Sequence, residues 1–156
     1  MKKRKQSNLI LIILLILIII ISVSAYFISK FDKYSDPDYI YFENDYVARV
    51  IDGDTFELSN GDIVRLICID APELNTDAGK QSQEFLESLI LYKEIDHGFV
   101  LTSDVDDKDA YGRLLRYAYI DENGANIFVN KEMVYQGYAE VFRYGNNTKL
   151  CDEIES

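Results

Sequence analysis

Five short runs rich in β-branched and aromatic residues, joined by turn signals, and one amphipathic stretch set among them predict an α+β domain. The architecture that suits them is a five-stranded β-barrel of the OB type with α-helices flanking it. A third observation, an uncharged apolar run at residues 9–29, predicts one transmembrane helix ahead of that domain. The chain then divides into a basic tail at 1–8, the span at 9–29, a spacer at 30–44 and the folded domain at 45–156.

The apolar run has about the 20 residues that a helix needs to cross a bilayer. Lys2, Lys3, Arg4 and Lys5 precede it, so the positive-inside rule keeps the N-terminus in the cytoplasm and the domain outside the cell membrane. Val23-Ser24-Ala25 at its end also has the small residues of a signal-peptide processing site. Secretion after cleavage near Ala25 therefore stands as the alternative to a signal anchor, and either way the domain is exported. Beyond residue 30 there are 11 basic and 27 acidic residues, a net charge of −16. Such a surface repels polyanions and argues against tight metal-free binding to duplex DNA, although salt screens beyond about 10 Å.

From Asp45 the pattern is β. The runs YVARVI and TFELS flank Asp52-Gly53-Asp54, and Asn60-Gly61 between TFELS and DIVRLICI is a hairpin signal. DIVRLICI reads as one strand up to Asp70, where Pro72 ends pairing. Ala78–Tyr92 carries Phe85, Leu86, Leu89 and Ile90 at helical spacing. Gly98–Thr102 and Leu114–Ile120 are strands, Asp121–Gly124 a turn, Val129–Gln136 a helix stopped by Gly137, and Tyr138–Tyr144 an extended piece. The run Asp104–Asp109 lacks the spacing of a calcium loop and reads as a solvated face. Cys68 alternates with apolar neighbours as a small buried hydrophobe; a Cys68–Cys151 disulfide is allowed in an oxidising compartment but cannot be inferred from one pair. His97 and the two cysteines lack zinc-site spacing.

The residues with chemical potential gather at the strand ends. Asp54, Asp70 and the Ala71 carbonyl offer hard oxygen ligands to a divalent cation such as Ca²⁺. Glu73 is then free to act as a general base, and Arg65 and Arg113 can fork onto phosphate oxygens. Together these groups are what phosphodiester hydrolysis requires. Each also has a plain structural reading: Asp52 and Asp54 as turn residues, Asp70 as a loop cap and Arg65 on a solvated strand face.

Taken jointly, VIDGDT, RLICIDAPE and DAYGRLLRY resemble the thermonuclease family, the staphylococcal-nuclease-like domains, over about residues 45–148. VNKEMVYQGYAEV and Asn146-Asn147-Thr148 extend the likeness. The resemblance implies an OB-fold barrel and a Ca²⁺-dependent nuclease acting on DNA and RNA. It also implies Asp54 and Asp70 as Ca²⁺ carboxylates, Ala71 as a carbonyl ligand and Asp52 in the outer shell. Arg65, Glu73 and Arg113 look like its catalytic trio, and Tyr111 and Tyr144 like its substrate contacts. Non-catalytic copies of the same fold bind nucleic acid or protein and characteristically lose the carboxylates or arginines, all of which are present here. No protein partner is indicated, and a monomer is expected. Ala110 stands where the best-known members have lysine, and Ala71 where they have threonine. NTKLCDEIES can form at most a few turns where the family has a long helix, so lower stability, or compensation by the spacer, is expected.

Overall fold

The computed structural model describes residues 15–25, 45–92, 98–122 and 125–156. The chain falls into two units, Met1–Pro37 and Asp38–Ser156. In the first, residues 15–25 form helix α1 with its Ile and Leu side chains exposed. Among the described residues no helix is long and apolar enough to cross a membrane. The remainder of the expected span at 9–29 and the 30–44 spacer lie outside the described residues.

In the second unit, β1 (Val47–Val50), β2 (Thr55–Leu58) and β3 (Ile63–Leu66) form an antiparallel meander in which Val50 pairs with Phe56 and Thr55 with Arg65. β4 is Ile69–Asp70, followed by helix α2 (Asp77–Ile90) and β5 (Phe99–Thr102). β6 (Leu114–Glu122) pairs in parallel with β3, which sets Arg65 beside Leu115. It also pairs antiparallel with β5 and with β7 (Ala125–Phe128). The expected closed five-stranded barrel needs correction. The path β1-β2-β3-β6-β5 holds five strands, but no ladder joins β5 to β1 among the described residues, and β7 is a sixth strand. The nine-residue β6 has the length to pair with three neighbours.

DIVRLICI is two strands, not one. Leu66, Ile67, Cys68 and Ile69 are all buried, so the apolar run continues unbroken through a corner that the pattern does not reveal. At that corner Cys68 takes a left-handed conformation with φ 63°, a few per cent occurrence for a residue other than glycine. The chain leaves the main sheet there and pairs β4 with the short β8 (Glu140–Val141), which is all that remains of the expected extended piece from Tyr138 to Tyr144. Cys68 is buried as expected but is not a free thiol. It is bonded to Cys151 at 2.07 Å, which ties the corner to helix α4 (Cys151–Glu155).

Thr76 caps α2 by accepting the Gly79 N–H at 2.9 Å, and Gly79, Ser82, Leu86 and Ile90 make its buried face. Leu86 and Ile90 pack with Phe56, Leu66 and Ile120 in one core, together with Met133 of α3 (Val129–Tyr135). Each such side chain contributes about 1.5–3 kcal/mol by leaving water.

Candidate active site

Asp52-Gly53-Asp54 forms a tight turn, because the N–H groups of Ile51 and Asp52 both donate to the Thr55 carbonyl, at 2.8 and 3.2 Å. α2 holds this turn from behind. Gln83 donates to the carbonyls of Val50 and Ile51 at 3.1 and 3.0 Å. A Cβ on Gly53 would lie 1.9 Å from Ser82 Oγ and 2.6 Å from the Ala71 Cβ, so only glycine allows the turn, Ala71 and α2 to meet.

The turn delivers Asp54 into the interior, 5% exposed. Its Oδ2 pairs with Arg65 at 2.8 Å and accepts the Ala71 N–H at 2.8 Å, while Oδ1 accepts the Thr55 hydroxyl at 2.9 Å. Asp52 accepts the Asp54 N–H at 3.1 Å and so stiffens the turn. The other end of Arg65 donates to Asp70 Oδ1 at 3.0 Å. One guanidinium thus bridges two carboxylates brought to it by the β2–β3 ladder and by β4. Burial pushes the Asp54 carboxyl up from 3.8 to about 7; Arg65 and the Ala71 N–H pull it back down, Asp52 adds to the rise, and Thr55 lowers it slightly. Withdrawal from water wins over the adjacent cation.

Arg65 is also on the wall of a cavity of about 280 Å³ whose floor includes Leu66, Ile67 and Ile69. Arg113, Tyr111, Phe142, Tyr144 and Asn147 are also among its lining residues. Arg113 is aimed by Asp109, which accepts its Nε–H at 2.6 Å and its backbone N–H at 2.9 Å. Burial works to raise the Asp109 pKa, but the hydrogen bonds and charge of Arg113, with the Tyr111 N–H, outweigh it and hold the carboxyl below its usual value. The Tyr111 ring lies 5.5 Å from the Arg113 guanidinium carbon and is 87% exposed, and Tyr144 stacks on Phe142. Glu73 follows β4 on the loop into α2. Its carbonyl accepts the Thr76 N–H and hydroxyl, and its exposed carboxylate makes no ion pair with the described residues.

The cavity therefore gathers Arg65, Arg113, Tyr111 and Tyr144, and Arg65 links it to Asp54 and Asp70. Glu73 is on neither the cavity wall nor the arginine clamp. Among the described residues no group of three or more acidic, histidine or cysteine side chains could hold a metal ion. Two carboxylates on one guanidinium, one of them buried, are nevertheless the hard donors that a divalent cation takes, with carbonyls and water filling the other positions. The acidic run from Asp104 to Asp109 is not merely solvated: Asp104 accepts from Tyr117, Asp107 pairs with Arg116 and Asp109 aims Arg113. The spacing of Asp109 four residues before Arg113 was the one sequence signal of that role. Thr55, Gln83 and Phe142 carried none, and Asn147 only its place in the Asn146-Asn147-Thr148 resemblance.

The family model described as "Staphylococcal nuclease homologue" matches residues 63–156. The chain is 34% identical over 121 residues to the SPbeta prophage-derived endonuclease YokF of Bacillus subtilis, an alignment spanning 69% of this chain and 37% of that protein. It is 35% identical over 120 residues to the endonuclease YncB of the same organism, covering 68% of this chain and 52% of the relative. With the thermonuclease of Staphylococcus hyicus the identity is 31% over 118 residues, covering 70% and 65%. The chain thus spans about half or less of the length of the two Bacillus relatives.

Proposed function

The chain belongs to the staphylococcal nuclease homologue family, and on that premise we propose that it is an exported, membrane-anchored nuclease that hydrolyses phosphodiester bonds of DNA and RNA with Ca²⁺. The observation that carries this reading is the single cavity holding both arginines and both tyrosines, with Arg65 clamped between Asp54 and Asp70.

Arg65 has five N–H donors. Nη1 donates to the Leu66 carbonyl and Nη2 to Asp70, while Nη1 also stands 2.8 Å from Asp54 as an ion pair. The remaining donors can serve a phosphate oxygen. Arg113 spends its Nε–H on Asp109 and lines the same cavity. Both planar groups are preset, so they bind the charge that develops on the phosphate oxygens without reorganising. Tyr111 and Tyr144 offer exposed hydroxyls and ring faces to the substrate backbone and bases. Glu73, on a loop whose backbone is pinned by Thr76 and whose carboxylate is open to solvent, takes the proton from the attacking water. Asp54 and Asp70 would hold the cation with the Ala71 carbonyl, Asp52 acting from the outer shell; when bound it supplies Lewis-acid stabilisation of phosphate charge. The same reading takes the five-strand path as the wall of an OB-type barrel, and residues 9–29 as the anchor that keeps the domain outside the cell.

The test is hydrolysis of single-stranded DNA by the purified chain with Ca²⁺, with Mg²⁺ and with chelator, beside Glu73→Gln and Arg65→Ala. Cleavage that needs Ca²⁺ and drops by about 10²–10³ in each variant supports the assignment. A folded wild type that binds the DNA without cutting it would mean a binding module on the nuclease scaffold. Fractionation of the native protein with membranes or with medium decides between anchor and secretion.

A further inference from the structure

We infer that Asn147 is a positioning residue for Arg113, acting through the 104–109 loop rather than on substrate; only the activity part of its test rests on the nuclease reading.

Asn147 is 3% exposed and is among the residues that line the cavity. Its side-chain amide pairs with both backbone polar groups of one residue of the acidic loop, Asp106. Oδ1 accepts the Asp106 N–H at 2.7 Å, and Nδ2 donates to the Asp106 carbonyl at 2.9 Å. A carboxamide can do this because donor and acceptor sit side by side, as they do along a strand edge. Three residues further on, Asp109 accepts the N–H of Tyr111 and both the N–H and Nε–H of Arg113, and donates its own N–H to the Arg113 carbonyl at 3.0 Å. The direction of the Arg113 guanidinium thus follows the placement of the loop that Asn147 grips.

The grip has a fixed base. The Lys149 N–H donates to Asp104 at 3.0 Å, and the Leu150 N–H to the Tyr117 hydroxyl at 3.1 Å. Cys151 is bonded to Cys68, in the corner between Arg65 and Asp70. The segment 147–151 therefore joins the two halves of the candidate site: covalently at Cys68, and through Asn147 at the loop that carries Asp109. Among the described residues the Asn147 amide bonds to Asp106 and not to Arg113, so its influence runs through the loop. A 1 Å misplacement of a positioned group can cost about 10²-fold in rate.

The experiment is a double-mutant cycle on the full-length chain, with single-stranded DNA and Ca²⁺, using Asn147→Ala, Arg113→Ala and both together. Asn147→Ala should lower kcat by about 10- to 100-fold with KM little changed, and should add nothing in the Arg113→Ala background. Amide hydrogen exchange should speed up at Tyr111 and Arg113 and stay unchanged at Val64–Leu66. If Asn147→Ala unfolds the chain, Asn147→Ser, which leaves a smaller void, is put through the same measurements. An equal loss of kcat in both backgrounds would mean that Asn147 meets the substrate or supports the whole fold, and would overturn the inference; so would unchanged exchange at Tyr111 and Arg113. If the wild type does not cleave DNA at all, the nuclease reading falls, and the exchange data alone decide the positioning claim.

Discussion

The two arginines of the site are held in different ways. Arg65 is on strand β3, 15% exposed, ion-paired through its two terminal nitrogens with carboxylates from the turn before β2 and from β4. Arg113 is on a turn, 32% exposed, and is aimed by one carboxylate of a loop that is itself fastened by side chains from the C-terminal segment. The first half is preset by backbone ladders and by packing on α2. The second is preset by side-chain hydrogen bonds between loops, which open at lower free energy than core strands. On the proposed nuclease reading, the first half is the wall that holds still and the second the one that can admit a polymer.

Removing the disulfide should separate the halves most. Cys68 and Cys151 lie 83 residues apart. In the chain-entropy account a loop of that length contributes about 4–5 kcal/mol. Denaturant unfolding of the Cys68→Ala/Cys151→Ala protein should show most of that loss, with hydrogen exchange rising at 104–113 before the Asp54 turn. Equal loosening of both regions would erase the distinction. Next in size is Arg65→Ala, which above about pH 7, where Asp54 is ionised, strands its carboxylate in the interior and should cost about 3–5 kcal/mol. Arg113→Ala, at a partly exposed pair, should stay within about 1 kcal/mol. Similar melting of the two variants would show that Arg65 is no more deeply embedded than Arg113.

Gly79→Ala probes the Asp54 half from behind. The new Cβ would lie 2.1 Å from the Glu73 carbonyl oxygen, so the Glu73 loop must move. The expected result is a kcat about 10- to 100-fold lower in a protein that still melts cooperatively; wild-type kcat would remove Glu73 from the chemistry or show that the loop's placement is irrelevant to it. The pH dependence separates the halves by sign. Asp54 titrates near 7 in the folded chain against 3.8 as its ordinary value. The folded state therefore holds a proton that the unfolded state releases, and this group's contribution falls as pH rises from about 4 to 7. Asp109 is shifted down, so its contribution is present above the ordinary carboxylate range and is lost as pH falls through its folded pKa. Unfolding midpoints against pH in chelator, for wild type, Asp54→Asn and Asp109→Asn, should flatten in those two separate windows. No change of slope between pH 4 and 7 in Asp54→Asn would refute the first.

Much of the Asp54 half was legible in the chain. Asp54, Arg65 and Asp70 are close in sequence, and the Asn60-Gly61 hairpin brings Thr55 opposite Arg65, so local turn chemistry is enough to assemble them. Helix α2 and the Val129 helix also follow from short-range periodicity, although α2 begins at Asp77 behind a Thr76 cap that the pattern from Ala78 did not show. The corner at Cys68 was not legible, because apolar residues on both sides of it are all buried and give no change of pattern. Nor was the work of the acidic run, whose aspartates look solvated until Tyr117, Arg116 and Asn147 are placed against them.

By itself the sequence determined which groups could do the chemistry and which short elements would carry them, since period, turn residues and caps act over a few neighbours. Only the tertiary structure decided that Cys68 and Cys151 join, that β3 pairs in parallel with β6 so that Arg65 and Arg113 share one cavity, and that Asn147 grips a loop 41 residues away. Such contacts depend on how distant segments bury their polar groups together, and no local pattern encodes which distant donor will satisfy which acceptor.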